Sequence, residues 1–176
     1  MAQSAREIAY LKAARTRLGE LSQYLNTINL TEESDVSAWF ATLARIKEVQ
    51  GNFNNDISFV ACLLAKQYLE KHFGVTDFDA ASKPQGANGL DIDVATPNGE
   101  RVVAEIKTIV PYKAANKDFG SAQKKSFRAD FEKLNKTKAL HKLLFVTDSM
   151  TYDLVQRKYT KEIPGVQVVL LVAYSQ

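Results

Sequence analysis

Residues 89–107 constrain this chain more than any other stretch, because they read as two apolar-rich strands joined by a tight turn at Pro97, Asn98 and Gly99. Side chains alternate across a strand, so Glu105 and Lys107 share one face of the second strand while Ala104 and Ile106 occupy the other. A three-residue loop over 97–99 pairs Thr96 with Glu100, and counting back pairs Asp91 with Glu105. Directly opposed residues place their Cβ atoms about 5 Å apart. Two carboxylates then lie side by side with an ammonium one step along. Opposed like charges repel unless a cation sits between them, and a divalent metal is the economical explanation. A loop shifted to 98–100 would pair Asp93 with Glu105 instead. Asp91 is favoured because it opens the strand, and Asp93 lies on the same face.

The arrangement of Asp91 followed by Glu105-Ile106-Lys107 resembles the PD-(D/E)xK nuclease superfamily, which includes type II restriction endonucleases and Holliday-junction resolvases. An acid-x-Lys triplet arises by chance about once per hundred residues. Here Glu105 to Lys107 is the only one in the chain, and it falls in a strand after a hairpin turn. The resemblance covers about residues 55–176. It implies a restriction-endonuclease-like α/β fold, a mixed sheet flanked by helices in the order helix, three strands, helix, strand, helix, strand. It also implies Mg²⁺, with Mn²⁺ as a substitute, held by Asp91, Glu105 and the backbone carbonyl of Ile106. Lys107 would position or activate the attacking water. The implied activity is metal-dependent endonucleolytic hydrolysis of DNA. The rival expectation is a non-cleaving nucleic-acid-binding accessory protein of the same fold, and a third is the same chemistry on RNA or single strands.

Periodicity supplies the rest of the layout. Residues 4–28 carry an apolar stripe through Ile8, Leu11, Leu18, Leu21, Leu25 and Ile28, the mark of an amphipathic helix. Val36, Trp39, Phe40, Leu43, Ile46 and Val49 predict a second helix, entered at Ser34 or Asp35. Glycine and asparagines over 51–55 predict a break, then a third helix over 56–73 closed by Gly74. This divides the chain into an N-terminal helical pair, 1–52, for dimerisation or capping, and a nuclease-like core, 53–176. Within the core a strand is expected over 75–81, a helix over 119–136, a strand over 143–147, a helix over 149–159 and a strand over 166–173. The later strands are apolar without alternation, as strands buried on both faces are.

Several further residues invite a role. Gln123 shares a helix stripe with Phe119, Phe127, Phe131 and Leu134, so an amide faces the sheet, and buried amides need partners. Some branches of the family carry a Gln at a comparable distance after the Lys, which makes Gln123 a candidate catalytic residue; the Tyr that accompanies it there is Phe127 here. Lys113, Lys117, Lys124, Lys125 and Arg128 are candidate phosphate contacts. Residues 107–142 hold ten Lys or Arg against three Asp or Glu, a local +7 in a chain of net +3, as a polyanionic partner would favour. Asp56 and Glu48 are the nearest acids on the preceding helix, Asp56 reading better as a helix cap. Ser82 and Lys83 lie in the loop before the hairpin.

Composition excludes other classes. With 45% hydrophobic and 24% charged residues the chain is expected to be globular. No apolar run reaches the roughly 20 residues that span a bilayer, and no signal-peptide layout opens the sequence, so a cytoplasmic protein without membrane association is expected. The lone Cys62 sits in an apolar run and reads as a core thiol. Two isolated histidines give zinc little support. Phosphate-binding glycine motifs are missing, so no nucleotide cofactor is expected. Cutting both strands of a duplex suits a homodimer.

Overall fold

The computed structural model describes residues 2–83, 87–111 and 118–171. Over these the chain forms an α/β fold of four α-helices and a four-stranded mixed sheet. Helix α1, Ala5–Thr27, starts from a reciprocal cap: Ser4 Oγ accepts from Glu7 N at 3.1 Å, and Glu7 Oε2 accepts from Ser4 N at 2.9 Å. Helix α2, Val36–Phe73, starts at Asp35, which accepts from Ser37 N at 2.7 Å, and stops at Gly74, whose left-handed φ of 67° frees the chain to turn away.

Two expectations fail here. The break over 51–55 does not occur, and α2 is one 38-residue helix running through the boundary expected at 52. A glycine inside a helix costs about 1 kcal/mol. Packing outweighs it: Val49 and Phe59 are buried, and Asp56, mid-helix and not a cap, pairs with Arg17 of α1. The second failure is the strand over 75–81, which is irregular chain. Three of its backbone N–H groups are taken elsewhere: Val75 donates to Leu69 O at 3.4 Å, Ala80 to Glu7 at 2.8 Å and Ala81 to Asp79 at 2.9 Å. Donors held this way do not serve a ladder.

Strand β1, Ile92–Ala95, and strand β2, Arg101–Lys107, form an antiparallel hairpin. Between them Thr96 N donates to Glu100 O at 2.8 Å, and Gly99 at φ 79° supplies the left-handed residue that a three-residue loop requires. Helix α3, Ser121–Lys136, then crosses to β3, His141–Val146, which lies parallel to β2. Helix α4, Ser149–Lys158, and a short 3-10 turn at Thr160–Glu162 lead to β4, Gln167–Leu170, parallel to β3. The sheet order is β1-β2-β3-β4. The expected succession of helix, three strands, helix, strand, helix, strand is not met in full: among the described residues two strands, not three, precede α3.

Three layers result. Val102, Ala104, Leu143 and Phe145 pack with Ala65 and Leu69 of α2 on one face. Val103, Leu144 and Val146 pack with Phe127, Phe131 and Leu134 of α3 and Leu154 of α4 on the other. Each fully buried Leu or Phe contributes about 1.5–3 kcal/mol. Helix α1 is pinned across α2 by a buried ion pair, Lys66 Nζ lying 2.9 Å from both Glu7 oxygens. Burial alone would raise the Glu7 pKa, but bonds from Lys66, Ala80 and Ser4 outweigh it and hold Glu7 below the usual carboxylate range. Among the described residues no helix is long and apolar enough to cross a membrane.

Candidate functional site

The hairpin register places Ile92 opposite Ala104, so Asp91, one residue before β1, faces Glu105, while Asp93 faces Val103. Asp93 is half exposed and forms a two-pronged pair with Arg101, at 2.8 and 2.7 Å. Asp91 Oδ2 accepts from Ile106 N at 2.8 Å. In a strand the N–H and C=O of one residue project to the same side. Lys107 O accepts from Thr147 N on the β3 side, so the Ile106 carbonyl points back toward Asp91. Asp91, Glu105 and that carbonyl therefore converge at the end of β2.

Glu105 and Lys107 point to the sheet face that α3 covers. Glu105 is only 2% exposed, and its Oε1 lies 3.1 Å from Lys133 Nζ. Lys107 Nζ donates to Ser126 Oγ at 2.8 Å, pairs with Asp130, and sits 5.4 Å from the centre of the Phe127 ring. Asp130 Oδ1 lies 3.0 Å from Lys133 Nζ, so one carboxylate holds two ammonium groups. These side chains open on a cavity of about 380 Å³ bounded on its far side by Ser58 and Cys62 of α2 and by Lys83. Lys83 Nζ donates to the Leu90 carbonyl and ties the loop to the start of β1.

The electrostatics follow from this crowding. Burial first, then the charges of Asp91 and Asp130 and a hydrogen bond with Asp91, push the Glu105 pKa up to about 8, against the opposing pull of Lys133. Glu105 thus takes up a proton more readily than an ordinary glutamate. Burial would lower the Lys133 pKa, but its bonds to Asp130 and Glu105 prevail and raise it. Cys62 rises to about 12, through burial and the neighbouring acids, which leaves it an unreactive thiol.

The other candidates lie elsewhere. Gln123 is buried away from the cavity, where Nε2 donates to Val110 O at 2.8 Å and Oε1 accepts from Gly120 N at 3.1 Å. That makes it a bridge between the start of α3 and the chain after β2. Lys124, Lys125 and Arg128 line a shallow surface with Ser121 and Glu132 outside the cavity; Lys124 pairs with Asp118 and Arg128 with Glu162. Lys113 and Lys117 lie outside the described residues. Glu48 pairs with Arg45 on the exposed face of α2, and neither it nor Asp56 borders the cavity.

Asp130 and Lys133 are site residues that strand periodicity does not reveal. Their signal is a second stripe on α3, Ser126, Asp130 and Lys133 at spacings of four and three, beside the apolar one. Among the described residues no set of three or more His, Cys, Asp and Glu side chains gathers closely enough to cage a metal. Two carboxylates and a carbonyl are instead the sparse hard-oxygen set that suits Mg²⁺, which keeps several waters and shares its shell with substrate phosphate. Comparison with protein-family models, with curated proteins and with solved structures gives no match.

Proposed function

We propose that this chain is a Mg²⁺-dependent DNA endonuclease resembling the restriction-endonuclease-like PD-(D/E)xK proteins. The observation that carries the reading is the convergence of Asp91, Glu105 and the Ile106 carbonyl beside Lys107 at the edge of a cavity. Those three oxygen donors would hold the ion. Bound there, it supplies Lewis acidity at the phosphate and makes water more acidic. Hydrolysis joins a water oxygen to phosphorus and breaks the bond to the 3′ oxygen. Lys107, its ammonium fixed by Ser126 and Asp130, orients the incoming water and offsets negative charge on the phosphate. The hairpin followed by a parallel crossover strand agrees with the family's core, which supports the same reading.

A homodimer fits the outer helices. Phe40 is 74% exposed and Leu43, three residues on, is 56% exposed, two apolar side chains turned outward near the start of α2. The connection between these helices carries Glu32, Glu33 and Asp35, whereas the first half of α1 carries Arg6, Lys12 and Arg15. Two antiparallel copies would match acidic end to basic end.

One observation favours a second reading, a non-cleaving DNA-binding protein: the Lys133 ammonium, 3.1 Å from Glu105, supplies positive charge to the acids from within the chain. A gel assay on supercoiled, linear, branched and single-stranded DNA, with and without Mg²⁺, separates the two. The endonuclease reading requires cleavage that EDTA abolishes and that Asp91→Asn and Glu105→Gln each reduce by orders of magnitude. DNA binding with no cleavage under any metal would leave only the second reading.

A further inference from the structure

The acid pair of Asp91 and Glu105 needs positive charge, and the cavity offers three ammonium groups among the described residues. Lys83 is bonded to the Leu90 carbonyl, and Lys107 is held by Ser126 and Asp130. Lys133 alone of the three bonds to Glu105, at 3.1 Å. Its second partner, Asp130 at 3.0 Å, stands three residues earlier on the same helix. The Lys133 side chain is 41% exposed, against 2% for Glu105 and 10% for Asp130, so it reaches the acids from the solvent side. An ammonium and a divalent cation cannot both lie within about 3–4 Å of one carboxylate oxygen without strong mutual repulsion.

We propose that Lys133 is a built-in counter-cation of the Asp91–Glu105 pair, which leaves Glu105 when a divalent cation enters and which Asp130 then retains at the mouth of the cavity. This rests on the metal-dependent reading above and adds to it a gate made of the chain's own charge. The two carboxylate partners are what make it a gate. With Glu105 as sole partner, displacement would cast the ammonium loose and oppose metal binding fully. With Asp130 in place, Lys133 changes from two partners to one, and its exposed stem has room to turn. A purely structural ion pair would serve equally well with the lysine buried and with one acid.

The test is calorimetric titration of Mg²⁺ into DNA-free protein at about pH 8.5, where protons compete less for Glu105. Lys133→Met keeps the apolar stem and removes the charge, and Lys133→Gln serves should that variant fold poorly. Removing one unit charge about 4 Å from the ion should tighten Mg²⁺ binding about tenfold or more, allowing for solvent screening at a partly exposed site. Lys133→Arg should stay near the wild type. Asp130→Asn should weaken binding, since the displaced lysine then has no second anchor. If the wild type binds Mg²⁺ and Lys133→Met binds it no more tightly, the gate is wrong and the metal site stands. If neither protein binds Mg²⁺, the metal-dependent reading falls and the gate with it.

Discussion

Replacing Glu105 by Gln should change the pH dependence of stability more than the stability itself. The carboxyl has a pKa of about 8 in the folded chain against an ordinary value of 4.5. Its folded pKa is raised, so the folded state binds the extra proton. The stabilisation is fully present below pH 4.5 and is lost as pH rises through 8. At about 1.4 kcal/mol per unit, the wild type should lose roughly 3–6 kcal/mol across that window through this group alone. Gln keeps the shape and cannot ionise, and its amide can donate to Asp91. Glu105→Gln should therefore match the wild type near pH 5 and exceed it by a few kcal/mol near pH 9. Urea unfolding followed by far-ultraviolet circular dichroism at several pH values gives both curves, with the slope of each denaturation line as a check on two-state behaviour. Parallel curves, or a wild type that gains stability from pH 5 to 9 relative to the variant, would refute the crowded-acid picture.

Lys66→Met leaves Glu7 buried with one partner fewer and should cost about 3–5 kcal/mol in urea unfolding, whereas Glu7→Gln with Lys66→Met together should recover part of the loss. Replacing Lys124, Lys125 and Arg128 by Ala should weaken binding to unrelated duplexes alike, the salt slope falling by about 0.9 for each phosphate no longer neutralised; a changed sequence preference at full affinity would contradict it. Phe40→Glu with Leu43→Glu should convert a dimer to a monomer in sedimentation velocity, and an unchanged sedimentation coefficient would remove these residues from any dimer interface.

What residue order determines on its own is local. Pro97, Asn98 and Gly99 mark a tight turn, and alternation then offers Asp91, or Asp93 with the loop shifted by one residue, as the partner of Glu105; the strand pairing decides for Asp91. The cap at Asp35 and the left-handed Gly74 are legible for the same reason, since each acts within a few residues of itself. The nuclease resemblance rests on this local segment. Tertiary structure decided everything that needs a partner far along the chain. Packing against α1 carried α2 through Gly51, which propensity alone marks as a break, and Glu7 took the Ala80 N–H that a strand would have used. Asp130 and Lys133 become part of the site only because α3 folds back over β2, which brings side chains 28 residues apart within 3.1 Å. The raised pKa of Glu105 has the same origin. Burial and the charge of Asp130 are supplied by a helix that lies well beyond the hairpin in sequence, and desolvation is a property of what surrounds a group, not of the group itself.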